Sequence, residues 1–505
     1  MIIFRFSLAS RGGGCRSEFF CSVFGAVDID ISSTGAYVNS LLTGRALLTS
    51  LCAVIAVGTA GWAQESSRPS AASAMPADAQ ISAALQQVSA EDIRANINKL
   101  VSFGTRMTTS AQDADAVAAG HGIGAAREWI RSEFERYSKD CGGCLEVKTD
   151  TFTEPAADRI PQPTVITNVY AVLKGTDSEN AKRIVLVTGH YDSRNSDMAD
   201  VKGDAPGAND DGSGTAVSLE CARVLSKLKF PATIIFLTVA GEEQGLNGST
   251  HFAKMAKEQG WDIEAVLNND IVGGNQSAEQ DHSVVRVFSE GLPQAATEKE
   301  IERIRGLGGE NDSASRQLAR YVADVGRSYK YDVGVVPMLV FRLDRYLRGG
   351  DHYSFNKQGF SAIRFTEFRE DFHHQHQNVR TENGIEYGDL LKFVDFDYVA
   401  SVARLNAATL ASLASAPAPP TNVHLLVKDL ENESTLTWDA PPGGRAASYE
   451  VVWRATTSSE WEHVQKVGEV LRATLNLSKD NVIFSVRAVD AAGHYSLPVV
   501  PTPQR

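Results

Sequence analysis

Histidine and acidic residues follow short apolar segments of this chain at positions where their side chains could meet. The segments Ile184–Val187, Thr233–Val239 and Ala265–Leu267 are too short for helices, and their composition predicts strands buried on both faces. In an open parallel sheet, the carboxyl ends of the strands form the edge that binds ligands. Since an unpaired buried carboxylate is costly, we expect these acids to share a ligand there. The residues that follow the segments, together with an acidic pair between the first two, are His190, Asp210, Asp211, Glu242, Glu243 and Asp270.

These residues offer nitrogen and oxygen donors without a thiolate, which suits zinc or a neighbouring divalent ion. A further source of donors lies far downstream, where Phe372–His376 holds three of the eleven histidines of the chain. A single histidine after a strand is more often structural than a ligand, and paired acids are often only solvated surface. The coincidence at several strand ends nevertheless favours a metal centre.

The alternation of strand and helix patterns predicts an α/β fold with a mostly parallel central sheet and helices on both faces. We assign this domain to residues 81–415. Further strands are predicted at Val284–Phe288 and Ser361–Phe365. Helices are predicted at about 125–137, 214–227, 246–258, 310–326 and 389–413.

The first 63 residues are predicted to be a leader that includes a secretory signal. A short apolar core, Ala46–Gly58, follows Arg45 and precedes the small residues around Ala63, which fit a cleavage site. The core is too short to span a bilayer stably, although a membrane-anchored form is the alternative. Residues 64–80 are rich in Ser, Ala and Pro and are predicted to be a linker. We therefore expect an exported protein, periplasmic or extracellular, with no stable membrane insertion in its mature form.

Three cysteines remain once the leader is set aside. In an exported chain, Cys141 and Cys144 are expected to close a small disulfide around two glycines. A redox-active pair would need a helix N-terminus, whereas this pair follows a predicted helix, and a zinc knuckle would need a second pair. Cys221 lies in an apolar pattern and is expected to be a buried free thiol.

Composition limits the classes of partner. The chain has 505 residues, 43% of them apolar, so we expect a large core and two domains. A net charge of −13 argues against nucleic acid and against an anionic membrane surface.

The spacing of these motifs resembles the di-zinc aminopeptidase family that includes the secreted bacterial leucyl aminopeptidases. More distant relatives of that family are the glutamate carboxypeptidases and the glutaminyl cyclases. The matching pieces follow the family's order between about residues 90 and 415. They are Gly189–Ser193, Gly207–Gly214, Ala240–Ser249, Asn268–Ile271 and the late histidine cluster.

The resemblance implies two Zn²⁺ ions per chain and a role for each ligand. His190 and Asp270 would hold one ion, Glu243 and His374 would hold the other, and Asp210 would bridge them. Two cations lower the pKa of a shared water, which becomes a nucleophile near neutral pH.

The resemblance also assigns roles to three acids that do not bind metal. Glu242 would take the proton of the water and return it to the leaving amine. Asp192 would accept the second ring N–H of His190. Asp211 would follow Asp210 through a cis peptide bond and turn away from the metals.

The late histidine ligand is less well defined. In the family an Asp stands four residues after the ligand, and counting back from Asn378 indicates His374, with His376 and His373 as alternatives. The segment Gly349–Tyr353 resembles the family's Ser-Asp-His loop, with Gly350 in place of Ser. We expect it near the cleft and not on the metal.

Residues 416–505 have a different pattern. After the Ala- and Pro-rich segment Ala414–Pro420 come short alternating strands and Trp438, which resemble a fibronectin type III sandwich. The usual corner tyrosine is replaced by Val482. Such a linker predicts a unit with few contacts to the rest of the chain. We expect this unit to be a spacer or a module that contacts a surface or polymer.

Together these features predict an exported zinc-dependent exopeptidase acting on peptides or proteins, with an aminopeptidase favoured. A carboxypeptidase is the main alternative, since Arg342, Arg345, Arg348 and Arg364 could bind a terminal carboxylate. A glutaminyl cyclase-like enzyme of this fold would lack the first imidazole, so His190 argues against it. A non-catalytic binding protein would be expected to lose ligands or the base, and none is lost.

Overall fold

The structure is a computed structural model and describes residues 70–71 and 75–505. The predicted leader, its secretory signal and most of the predicted linker lie outside the described residues. The strands are β1 (Ser70–Ala71), β2 (Leu145–Glu154), β3 (Thr164–Leu173), β4 (Arg183–His190), β5 (Thr233–Val239), β6 (Asp262–Asn269), β7 (Val284–Ser289), β8 (Val336–Val340), β9 (Ala362–Glu367), β10 (Arg380–Glu382), β11 (Ile385–Tyr387), β12 (Thr421–Leu426), β13 (Ser434–Asp439), β14 (Ser448–Ala455), β15 (His463–Gly468), β16 (Arg472–Leu475), β17 (Val482–Val489) and β18 (Thr502–Gln504).

Eleven α-helices lie among the described residues. None of those described is long and apolar enough to cross a membrane. They are α1 (Ala79–Leu85), α2 (Ala90–Val101), α3 (Ala114–Ala118), α4 (Gly122–Asp140), α5 (Gly212–Leu225), α6 (Asn247–Glu258), α7 (Glu298–Gly306), α8 (Ala314–Ser328), α9 (Lys330–Val333), α10 (His352–Lys357) and α11 (Phe396–Ser415).

The central sheet has eight strands in the order β2-β3-β5-β4-β6-β9-β7-β8. Its middle four strands, β5, β4, β6 and β9, run parallel to one another. Antiparallel pairing occurs at β2–β3, β3–β5 and β7–β9. All residues of β5 are buried, as expected for a strand covered on both faces. The predicted α/β fold with a mostly parallel centre is confirmed.

Helices cover both faces of this sheet. Val185 and Val187 of β4 belong to a large apolar cluster shared with α2, α4, α5 and α11. Leu186, between them, belongs to a second cluster shared with α6 and α10. This alternation follows the period of two along a strand. The carboxyl ends of the middle strands therefore open at one protected edge between the two helix layers.

The cysteines behave as predicted from the sequence. Cys141 and Cys144 form a disulfide in the turn that follows α4. Cys221 is a free thiol buried within α5.

The C-terminal residues form two small β-sheets. One has the order β16-β13-β12-β18, and the other has the order β1-β15-β14-β17, so the early strand β1 extends the second sheet. Trp438, Tyr449, Trp453 and Phe484 are buried in the core of this all-β unit.

The expectation that this unit makes few contacts with the rest of the chain is wrong. Arg454 of β14 donates two hydrogen bonds to Asp312, at 2.7 and 2.9 Å, and Arg320 of α8 lies 3.3 Å from the same carboxylate. These three side chains are at most 4% exposed. Tyr495 donates to Asp324 of α8 at 3.0 Å and packs into the main apolar core. The two parts of the chain therefore share a buried interface.

We expect Asp312→Ala to destabilise the whole chain, because it leaves two buried guanidinium groups without their carboxylate. Breaking a buried pair in this way costs about 3–5 kcal/mol. Urea unfolding measures the change.

The matched control is Glu179→Ala, which removes an exposed ion pair with Lys182 at 2.7 Å and should cost at most about 1 kcal/mol. Equal effects of the two substitutions would show that the interface contributes little to stability.

Candidate metal centre

Donor side chains from separate elements meet at the carboxyl edge of the sheet. His190 is the last residue of β4, Glu242 and Glu243 follow β5, and Asp270 follows β6. Asp210 stands just before α5. Because these strands are parallel neighbours, their ends lie side by side, as the sequence predicted.

The donors form two groups. In the first, His190, Glu242 and Asp270 each offer one ligand atom, all within 4.8 Å of one another. In the second, the Nε2 atom of His376 lies 2.8 Å from Oδ2 of Asp210 and 3.1 Å from Oε1 of Glu243. Each group has the composition of a site for zinc or a related ion.

Asp210 joins the two groups. Its Oδ1 atom lies 3.2 Å from Nε2 of His190, while its Oδ2 atom faces His376. Gln375 also donates to Oδ2, at 3.1 Å. The Asp210–Asp211 peptide bond is cis, as the family resemblance implied. One carboxylate therefore presents one oxygen to each histidine, the arrangement expected of a bridging ligand.

The prediction of His374 as the late ligand is corrected to His376. The ring of His374 stacks on Phe393 with centroids 3.6 Å apart, and its Nδ1 atom lies 3.3 Å from Asp371. The count from Asn378 does not locate the histidine that faces the donors; the Asn378 side chain accepts hydrogen bonds from the backbone and hydroxyl of Ser196. His373, the other alternative, is exposed and packs edge-on against the ring of Tyr387.

Asp192 acts differently from the prediction. The Nδ1 atom of His190 lies 3.1 Å from the backbone oxygen of Asp192 and 3.5 Å from its carboxylate. The carboxylate instead accepts hydrogen bonds from the backbone amides of Glu242 and Glu243, at 3.3 and 3.2 Å, and from the hydroxyl of Thr108 at 3.0 Å. The carboxylate of Asp192 therefore positions the turn that carries the two glutamates. Its backbone oxygen contacts Nδ1 of His190, so the other ring nitrogen, Nε2, points at the donors.

Asp211 turns away from both groups, as expected. Its carboxylate accepts the backbone amides of His190 at 2.9 Å and of Gly214 at 2.8 Å. Burial raises the pKa of Asp211 well above its usual range, and repulsion from Asp270 and Asp210 adds to the shift. Asp211 therefore ties β4 to the start of α5.

Two supporting contacts were not predicted from the sequence. Asp389 accepts the backbone amides of Asn209 and Asp210, at 2.8 and 2.7 Å, and burial raises its pKa to about 7. Arg364 of β9 is fully buried and pairs with Asp270 at 2.9 Å. A single Asp before a helix and a single Arg in a strand carry no motif that could have indicated these contacts.

Two sequence features near the site gain a structural role. Arg106 donates to the backbone oxygens of Tyr191, Pro206 and Gly207 and so supports the loop before Asp210. Gly350 lies near the cleft as expected. A Cβ atom there would stand 2.6 Å from Nη1 of Arg364, which explains why Gly replaces the Ser of the related loop.

The site attracts positive charge. Burial would lower the pKa of His376, but Glu243 and Asp210 raise it to about 10. Burial would raise the pKa of Asp210, but His376 and His190 hold it well below its usual range. Within the described part of the chain, Nε2 of His190 and Oε1 of Glu243 are buried and have no hydrogen-bond partner. Orphaned donor atoms in an acidic cluster fit bound metal cations.

Comparisons with known proteins agree with this chemistry. The model of peptidase family M28 matches residues 168–393. A probable zinc metalloprotease of Pyrenophora tritici-repentis is 47% identical over 433 residues, which cover 85% of this chain and 88% of that protein. A probable zinc metalloprotease of Leptosphaeria maculans is 46% identical over 426 residues, which cover 84% of this chain and 97% of that protein.

Two solved structures are also similar to parts of the chain. The LapA aminopeptidase of Legionella pneumophila has a TM-score of 0.46 and 22% identity, with 66% of this chain and 75% of that chain covered. A glutaminyl cyclase of Porphyromonas gingivalis has a TM-score of 0.42 and 19% identity, with 64% of this chain and 97% of that chain covered.

We expect His376→Gln to weaken zinc binding and His374→Gln to leave it unchanged, because only the first substitution removes a nitrogen from the donor groups. Zinc content after dialysis, measured by elemental analysis, compares the two variants with the unaltered chain. Loss of zinc from His374→Gln alone would restore the original assignment.

Proposed function

The chain belongs to peptidase family M28 and is a zinc metallopeptidase, and we propose that it is an aminopeptidase holding two zinc ions. The observation that carries the two-ion proposal is the position of Asp210, with one carboxylate oxygen facing each histidine. His190 and Asp270 would hold one ion, Glu243 and His376 would hold the other, and Asp210 would bind both. Zinc at such a site supplies a Lewis acid that lowers the pKa of water toward neutrality.

Glu242 is the residue that would move protons. Burial raises the pKa of Glu242 well above its usual range, and repulsion from Asp270 and Glu243 adds to the shift. A bound cation would lower that pKa again. Its side chain would then accept a proton from water and return it to the leaving nitrogen. Asp192, through the two backbone amides, keeps Glu242 in place for this exchange.

Two of the four arginines that could bind a terminal carboxylate, Arg364 and Arg345, are already paired with acids, which weakens the case for a carboxypeptidase. A carboxypeptidase needs a free cation for the terminal carboxylate next to the scissile bond. Arg364 already pairs with Asp270 at 2.9 Å and lies 3.4 Å from Asp344. Arg345 pairs with the same Asp344 at 2.9 Å and with Glu370 at 2.8 Å.

Acidic groups beside the metal centre suit the free ammonium of a peptide N-terminus. Asp351 is fully buried, and both of its carboxylate oxygens lack a hydrogen-bond partner among the described residues. Burial and repulsion from Asp270 and Asp192 raise its pKa to about 7. Asp351 also raises the pKa of Glu242 by charge repulsion, so the two carboxyl groups lie close enough to interact.

Export is also part of the proposal. The disulfide between Cys141 and Cys144 supports it, because disulfides persist in oxidising compartments.

Hydrolysis of leucine amide and of N-acetyl-leucine amide by the zinc-loaded chain tests the aminopeptidase proposal. We expect release of ammonia from the free amide and none from the acetylated one, because the acetyl group removes the ammonium. Cleavage of the acetylated amide at an equal rate would overturn the proposal. Release of the last residue from acetylated peptides would support a carboxypeptidase instead.

We expect Glu242→Gln to lower kcat by about 10²–10⁴-fold, because it removes the proton carrier while keeping the shape of the side chain. Zinc content should stay the same. The matched control is Glu258→Gln at the exposed end of α6, which should leave kcat unchanged. Loss of zinc along with activity would show that Glu242 is a ligand.

A further inference from the structure

A cleft beside the metal centre carries an excess of positive charge. It has a volume of about 550 Å³ and opens between the turn after β5 and the loop that joins β8 to α10. Both walls also carry residues of the site. Glu242 and Glu243 lie on the same turn as Leu246, which lines the cleft. Gly350 lies on the loop, and a Cβ atom there would stand 3.1 Å from Oδ2 of Asp270. The cleft and the metal centre therefore share the turn after β5 and the loop before α10.

The lining of the cleft is basic although the chain carries a net charge of −13. Among its eleven lining residues Asp344 is the one acid. The cations are Arg342, Arg345, Arg348 and Lys357.

Two of these cations anchor the loop. Arg345 and Arg348 both pair with Glu370 at 2.8 Å, and the same carboxylate accepts Arg286 at 2.9 Å. One carboxylate thus faces three guanidinium groups, which fixes the loop and leaves an excess of positive charge. Asp344 does not offset this excess, because it also contacts the buried Arg364 at 3.4 Å.

The other two cations are exposed and have no carboxylate within ion-pair distance among the described residues. The guanidinium of Arg342 lies 3.8 Å from the ring centre of Tyr346 and donates to its hydroxyl at 2.9 Å. The ammonium of Lys357 lies 5.9 Å from the ring centre of Tyr353. Aromatic rings orient a cation without neutralising it, so both remain able to bind an anion.

We propose that Arg342 and Lys357 bind a carboxylate of the peptide substrate, so that the enzyme prefers acidic peptides. The carboxylate would come from an Asp or Glu side chain near the N-terminus or from the free C-terminus of a short peptide. This specificity rests on the proposed aminopeptidase function. It concerns parts of the substrate away from the bond that is cleaved, because Arg342 and Lys357 belong to neither donor group.

Tripeptides that differ in one charge test the proposal. Leu-Ala-Glu amide, Leu-Glu-Ala amide and Glu-Leu-Ala amide are each compared with the Gln counterpart, and Leu-Ala-Gln acid is compared with its amide. We expect kcat/KM to be about fivefold higher for at least one acidic member of these pairs, corresponding to about 1 kcal/mol. The advantage should fall as sodium chloride is added, because exposed charges are screened.

Arg342→Gln and Lys357→Gln should each lower the ratio of kcat/KM for the acidic peptide to kcat/KM for its neutral counterpart. The matched control is Lys182→Gln, which should preserve the advantage of the acidic peptides. Lys182 is exposed and lies just before β4, at the opposite end of that strand from His190. Equal kcat/KM for every acidic and neutral pair would overturn the proposal.

Calorimetric binding of the same peptides to the zinc-loaded Glu242→Gln chain separates this proposal from the proposed function. Tighter binding of the acidic peptide, lost in the added Arg342→Gln or Lys357→Gln substitution, supports the cleft even if no N-terminal residue is released. Equal affinity for acidic and neutral peptides overturns it even if aminopeptidase activity is confirmed.

Discussion

The concentration of buried negative charge at the carboxyl edge of the sheet is the constraint on which the rest of the site depends. Such groups are stable only when cations or hydrogen-bond donors surround them. The protein supplies backbone amides to Asp192, Asp211 and Asp389, and a guanidinium to Asp270. Asp210 and Glu243 instead face imidazoles, and Oε1 of Glu243 has no hydrogen-bond partner within the described residues. The charge that remains after these contacts is the charge that metal cations can satisfy.

Much of this arrangement could be predicted from the sequence, because the relevant signals are local. Short apolar runs identify β4, β5 and β6, and the parallel order of their ends brings His190, Glu243 and Asp270 together. Asp210 could be separated from its acidic neighbour Asp211 only through the family resemblance. Successive side chains of a strand point to opposite faces of the sheet, so an unbroken apolar run indicates that both faces are buried.

The parts that sequence reasoning missed depend on chain segments that approach from a distance. His376 has a φ of +54° in a turn, and no periodic pattern specifies which histidine of such a turn points at the donors. Asp389 reaches the amide of Asp210 across 179 residues. Arg364 is fully buried although arginine is rarely so, so its pairing with Asp270 could not be inferred from its residue type.

The C-terminal unit shows the same difficulty and connects to the site. An Ala- and Pro-rich segment suggested independence, yet Arg454 and Arg320 meet at Asp312 in a buried cluster. Arg320 belongs to α8, and α8 packs on β7, β8 and β9 of the central sheet. The last of these strands carries Arg364, and β8 leads into the loop of Arg342. Because a buried ion pair holds both partners in a fixed geometry, the β-unit supports the strands that lead to the basic cleft from positions more than a hundred residues away in the chain.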